Sequence, residues 1–455
     1  MTATLAVRLL LSPTGEFNEA VIVGDIRPAE LDGTSLRNIL VPCGRSPEPT
    51  SYPVDPGRYL VSVTLPSGMV LTKDAEAVDG RSTPVDFDMT DSPYGTHAWQ
   101  YLMGNIEPER VYHGATGVPL PESVASRSMV APAAGENGFL PESAGDAPVR
   151  VTWVGDSLPA CWSYASMLAL EQDPARPSVA PLIARSTPRP LPVPAALGAD
   201  VTPLYRFGPD GPVPAPGDPV PAADPDSPVP APDSDGPVPA PGSGGPVGER
   251  QFLVVEAAGA VRLVTLPLPW GTSEAEVLVN LRQSPTGSAV AVTVRDPRLG
   301  AGLAYMAQGA LDTAAHLLTD VGRALHSEPA NPLAATAGSY VLLGTDHRTD
   351  ETHWDPWLRL LADRYPWLSD GAILRAVRLL RRPGADLREA RNGLLDAFDR
   401  GIPFYTLGLT WLADGLAAFP DDPECATRLD QVRRLSWLAD MREPFLILDL
   451  RQGSA

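Results

Sequence analysis

Two stretches of this 455-residue chain carry side chains of the kinds that do chemistry. The first is Gly155-Asp156-Ser157-Leu158, directly after the strand-like run Val149–Val154. The second is Asp346-His347-Arg348-Thr349-Asp350-Glu351-Thr352-His353. A serine hydroxyl at the end of a strand becomes a nucleophile when a histidine takes its proton and a carboxylate orients the imidazole. Ser157, His353 and Asp350 are the candidates for those three roles. The second stretch also holds imidazoles and carboxylates densely enough to consider a divalent metal, with His347, Asp350 and His353 as candidate ligands. Its spacing is not the His-Glu-x-x-His that sets two imidazoles on one helix face, and Arg348 places a positive charge among them. The preferred readings are a polar hairpin tip at 155–158 and a solvated loop at 346–353.

The Gly-Asp-Ser-Leu tetrapeptide after a strand, with Asp350-Glu351-Thr352-His353 late in the chain, resembles the GDSL (SGNH) esterases. That resemblance implies attack by Ser157 on an ester carbonyl, with His353 as base and Asp350 as its orienter. It also implies a Gly-x-Asn-Asp block for the oxyanion hole and a parallel sheet around the nucleophile. The chain has no Gly-x-Asn-Asp, and a proline-rich stretch followed by hairpins separates the two motifs.

Composition narrows the function classes. The formal charge is −20, which argues against a broad basic face for nucleic acid and against an anionic membrane surface. Expected partners are therefore proteins, with no nucleic acid and no membrane. Cys43, Cys161 and Cys425 are odd in number, widely spaced and in no CxxC pair, which fits a reducing cytoplasm and neither a disulfide framework nor a cysteine zinc site. Arg8 interrupts the apolar start, so no secretory signal is expected. No run approaches the ~20 apolar residues that cross a bilayer. No phosphate-cradling GxxxxGK[ST] or strand–GxGxxG–helix is present, and no cofactor is expected.

The elements that must position these residues fall into a multidomain β + α order: antiparallel β-sandwich-like N-terminal and middle sections, then a C-terminal helical bundle or short α-solenoid. Residues 1–90 read as short strands with turn chemistry about every ten residues, as at Ser12-Pro13-Thr14-Gly15. Tyr59, Val61 and Val63 alternate, as do Val85, Phe87 and Met89. From Pro56 to Met89, the strand Gly57-Arg58-Tyr59-Leu60-Val61 and its Pro66-Ser67-Gly68 turn resemble the transthyretin-like, carboxypeptidase-regulatory-type β-sandwich. The resemblance implies a passive module rather than an activity.

Residues 91–180 are mixed, with a short helix around Trp99 and Tyr101 and strands near 149–167. Residues 181–249 are proline-rich, with GPVPAPG at 211–217, DPVPAAD at 218–224, SPVPAPD at 227–233 and GPVPAPG again at 236–242. They read as an acidic, disordered, semi-rigid spacer in extended polyproline form. Residues 250–298 return to β hairpins that complete the second β section.

From 299 to 455 the apolar period becomes 3.6. Asn331-Pro332, Asp355-Pro356 and Asp422-Pro423 read as helix starts, Asp386 caps a helix over Leu387–Asp399, and Gly401 stops it. Pro403–Phe419 and Glu424–Met441 are further helices, and Phe445–Leu450 is a strand-like tail that can join a sheet edge here or in a partner. Arg375, Arg378, Arg381 and Arg382 form a basic stripe, read as a solvated face. His316 reads as a boundary or packed residue. Trp354, Trp357, Trp367, Trp411 and Trp437 read chiefly as interhelical packing. The resulting expectation is a non-enzymatic interaction or scaffold protein, with an accessory component of a signalling or defence assembly as its finer form. The alternative is a serine esterase using Ser157, Asp350 and His353.

Overall fold

The computed structural model describes residues 2–11, 20–30, 34–66, 68–89, 98–103, 105, 149–155, 187–191, 204–208, 211–213, 250–257, 260–279, 289–296, 299–307, 309–317, 331–345 and 354–450. Its layout is β sheets in the N-terminal and middle regions followed by helices clustered toward the C-terminus.

Seven strands make the first sheet: β1 (Ala3–Leu11), β2 (Ala20–Pro28), β3 (Leu36–Gly44), β4 (Thr50–Val54), β5 (Gly57–Thr64), β6 (Val70–Ala77) and β7 (Ser82–Met89). The order is β4-β1-β3-β2-β5-β6, with β7 also on β1. In β5 the alternation buries Tyr59, Val61 and Val63, so one face is core and the other meets solvent. The antiparallel expectation needs one correction: β1 runs parallel to β3 and to β7. The first and last strands of this unit lie side by side in the same direction, and a charge pair fixes their register. Arg8 faces Asp86 directly and grips it with two bonds, Nε–Oδ1 2.8 Å and a second guanidinium nitrogen to Oδ2 at 3.0 Å. Strand β4 escaped the sequence reading because it is short and carries Pro53, which suits an edge position.

The middle region contributes two sheets. One has the order β16-β13-β12-β8-β9, from β8 (Arg150–Gly155), β9 (Thr187–Leu191), β12 (Gln251–Ala257), β13 (Ala260–Leu266) and β16 (Ile447–Asp449). The other has the order β11-β10-β14-β15, from β10 (Leu204–Gly208), β11 (Gly211–Val213), β14 (Ala275–Val279) and β15 (Val290–Val294). Three of these strands lie within 181–249, so that segment is not spacer throughout. Proline tolerates this because β9 and β11 are both edge strands. Pro188 and Pro190 are two apart, so both ring nitrogens point the same way and the strand still pairs with β8 along its other side. Strands from both sides of the proline repeats pair with one another, β8 with β12 and β10 with β14. The repeats therefore interrupt the chain without separating two units.

After α1 (Ala98–Leu102), the helices are α2 (Gly300–Ala307), α3 (311–317), α4 (Pro332–Thr345), α5 (Trp354–Arg364), α6 (Ser369–Arg381), α7 (Leu387–Asp399), α8 (Thr406–Ala417) and α9 (Pro423–Ser436). Asn331 Oδ1 accepts from Ala334 N at 3.0 Å, Asp386 accepts from Arg388 N at 2.8 Å, and Asp422 accepts from both Glu424 N and Cys425 N. Gly401, at φ +111°, follows the end of α7 in a conformation that a side chain would resist. Helix α6 is central, with α4, α5, α7 and α8 packed on it. Helices and sheets share one continuous buried core. No helix among the described residues is long and apolar enough to cross a membrane.

The tail Phe445–Leu450 joins a sheet of its own chain. It stitches the helices to β13: Leu446 N donates to Phe404 O at 2.8 Å, Thr265 N donates to Leu446 O at 3.1 Å, and Leu450 N donates to Val261 O at 2.8 Å.

Candidate functional site: a buried aspartate at the sheet–helix junction

Asp370, in the first turn of α6, is a fully buried carboxylate of the helical region. Two elements bond to it. From α4, the Tyr340 hydroxyl donates to Oδ1 at 2.9 Å. From the extended segment before α8, Phe404 N donates to Oδ2 at 2.8 Å and Tyr405 N to Oδ1 at 3.3 Å. Tyr405 is the N-cap residue of α8 and makes no cap with its own side chain. Asp370 therefore serves as a cap supplied by another helix, close to the positive ends of two helix dipoles. The Tyr405 hydroxyl donates onward to Leu333 O at 2.7 Å.

Arg250, the residue just before β12, enters from the sheet side. Its guanidinium donates to Trp367 O at 2.8 and 3.0 Å, to Ser369 Oγ at 3.3 Å and to Ile402 O, and lies 4.8 Å from the centre of the Phe404 ring. Its donors are thus spent on carbonyls and a hydroxyl, and it acts on Asp370 through its field. Burial pushes Arg250 down to about 10, with the Asp370 charge opposing the shift. Burial also raises Asp370, against the donors from Phe404 and Tyr340 and the positive field of Arg250. Tyr340 and Tyr405 stand well above the usual phenol value for the same first reason.

Packing is close around this group. A Cβ on Gly408 would sit 2.5 Å from both Asp370 Oδ1 and the Tyr340 hydroxyl, so a glycine is required where α8 passes. What the arrangement does is hold α4, α6, α8 and the start of β12 in one register. Sequence reasoning missed it because Ser369-Asp370-Gly371 looks like ordinary helix-start chemistry. The available signal was Arg250, the first basic residue after Arg206 and directly ahead of an apolar strand.

Residues 301–447 match the family model of the Y4kD C-terminal domain. That is about a third of the chain. The match takes in Tyr340, Asp370 and Tyr405 but not Arg250, and it ends inside the stitching tail. The family's description names no activity. No curated protein matches the chain, and neither does any solved structure.

Ser157, His347, Asp350 and His353 all lie outside the described residues, as does Cys161. Gly155 is the last residue of β8, and β8 is antiparallel to both of its neighbours. The esterase resemblance implies a parallel sheet at that point.

His316 is exposed on α3. The basic stripe is not a free solvated face. Arg375 pairs with Asp363 at 3.1 Å and Glu389 at 2.6 Å, and Arg378 and Arg382 share Asp355 at 3.1 and 2.8 Å. Arg381 donates to Leu343 O at 2.6 Å and lies over the Trp411 ring. Asp355 is therefore taken by α6 and is not the cap of α5, which begins one residue earlier. Trp367 packs edge-on against Phe404, and Trp411 against Tyr340. Trp437 differs from these: it is 84% exposed at the end of α9, and Met441, four residues on, is 50% exposed.

Proposed function

We propose that this chain is a non-enzymatic interaction or scaffold protein of the cytoplasm, an accessory component of a multi-protein signalling or defence assembly. In this reading the N-terminal unit is a transthyretin-like passive module and the helical region receives a protein partner. The supporting observation is the exposure of Trp437. Tryptophan rarely stands that far into water on a surface with no partner to bury it, and it is enriched where protein interfaces concentrate their energy. The acid-rich composition fits protein partners better than nucleic acid.

The test is affinity capture from the native host with the full chain and with a Trp437→Ala/Met441→Ala double variant of unchanged thermal stability. A discrete set of proteins held by the parent and lost by the variant is the expected result. Identical captures would overturn the reading. Labelling by a fluorophosphonate probe that disappears in Ser157→Ala would replace it with the esterase.

A further inference from the structure

We propose that the exposed face of α9 is a seat for a second copy of this chain, the two α9 helices packing antiparallel about a twofold axis. The inference rests on the reading of Trp437 as an interface anchor, and it names the partner.

Helix α9 buries one side, through Cys425, Val432 and Leu435. A flank of the same helix turns to water. Ala426, Asp430, Arg433 and Trp437 are all exposed, at intervals of four, three and four residues. At ~100° per residue they fall within about 60° of the helix circumference, so they form one stripe. Trp437 still belongs to it: as the C-cap residue it keeps helical φ −70° and ψ −21°, and its N donates to Arg433 O at 3.3 Å.

The interval four, three, four reads the same in both directions. It is also the heptad spacing by which two helices pack along a seam. A reversed copy of the stripe, with the twofold passing between Gln431 and Val432, sets Trp437 opposite the partner's Ala426 and Arg433 opposite the partner's Asp430. Both pairings are complementary. The largest side chain of the stripe meets the smallest, so the indole has room between the two axes. A cation meets a carboxylate. Symmetry makes each pairing occur twice. A parallel arrangement would set like charge against like at both central positions.

Both charges are available for this. Arg433 forms no ion pair among the described residues. Asp430 gives Oδ2 to Arg434 at 2.5 Å along its own helix, an exposed pair that leaves the Asp430 side chain 60% open to water. One 14-residue helix buries less than a standard interface, so association is weak, on the order of micromolar. At physiological ionic strength the −20 charge of each copy is screened beyond about 8 Å and does not forbid the contact.

The experiment is sedimentation of the full chain across a concentration series, with substitutions on the stripe. The parent should pass from monomer to dimer. Trp437→Ala should weaken the dimer by at least about thirtyfold, the scale of an interface anchor. Arg433→Asp and Asp430→Arg each turn two attractions into two repulsions and should each weaken it by about tenfold. Mixed in equal amounts, these two variants face each other with opposite charges at both positions. They should form a heterodimer at concentrations where neither associates alone. A local disturbance of α9, or a failure to fold, gives no such rescue. A parent that stays monomeric up to about 1 mM overturns the inference. A dimer indifferent to the reversals, or variants that stay apart when mixed, also overturns it. If the parent is monomeric while Trp437→Ala/Met441→Ala still loses captured proteins, the anchor serves another partner and only this inference falls. If that capture is unchanged as well, the interaction reading falls with it.

Discussion

Glu276 and Asp370 are both carboxylates taken out of water, and the chain satisfies them in opposite ways. Glu276, on β14, meets two guanidinium groups, Arg295 at 2.6 Å and Arg206 at 3.3 Å, and accepts from Gln100 Nε2 at 2.7 Å. Asp370 is ringed by neutral donors, one phenol and two backbone amides, while Arg250 beside it bonds elsewhere. The first cluster ties β10, β14 and the end of β15 together through charge, with α1 joined to it by an amide. The second ties helices together through geometry. In the first, the negative charge of the carboxylate is what its partners require; in the second, its acceptor positions are.

Removing charge without removing shape is therefore the sharpest way to separate them. Glu276→Gln removes the charge that Arg295 and Arg206 share and should cost about 3 kcal/mol in urea unfolding of the full chain, the scale for breaking a buried pair. Asp370→Asn keeps one carbonyl acceptor in place and turns one donor–acceptor contact into a mismatch, for about 1–2 kcal/mol. Equal costs, or the reverse order, would show that Asp370 is held as an ion like Glu276. Tyr340→Phe deletes one neutral bond and should cost about 1 kcal/mol. That loss should shrink sharply in the Asp370→Asn background, because the two side chains share one interaction.

The contrast between local and distant partners also explains what could be read in advance. Caps at Asn331, Asp386 and Asp422 were legible because the side chain and the amide it satisfies lie two or three residues apart. The strands of β5 and β7 were legible because one face is buried and the other is wet. Asp370 was not, since Tyr340 lies 30 residues before it and Phe404 34 residues after. The Asp-Pro signature at 355 failed for the same reason: arginines of a different helix had first claim on the carboxylate. The parallel union of β1 with β7 joins residues almost 80 apart, and no local pattern announces it. The residues that looked most reactive in the sequence sit outside the described structure. The polar centre within it looked like an ordinary helix start.

The smallest effect carries the most diagnostic sign. Asp370 has its pKa raised by burial, so between the unfolded aspartate value of ~3.9 and its folded value the native state holds the extra proton. Stability contributed by this group is present at low pH and is lost as pH rises through the folded value. Asp422 is shifted the other way, to about 2, chiefly by its bonds with Arg391 at 2.5 Å and the amide of Cys425. Its contribution is present above ~4 and is lost as pH falls toward 2. Urea midpoints of the parent, Asp370→Asn and Asp422→Asn between pH 2.5 and 7 isolate each group as a difference curve. The parent should lose ground to Asp370→Asn as pH rises, and gain on Asp422→Asn over the same interval. Added salt should flatten the Asp422 curve, because its arginine is partly exposed, and leave the Asp370 curve in place. Two curves of the same sign would mean that Arg250 compensates Asp370 as fully as Arg391 compensates Asp422, and the distinction between a cap held by charge and one held by neutral donors would fail.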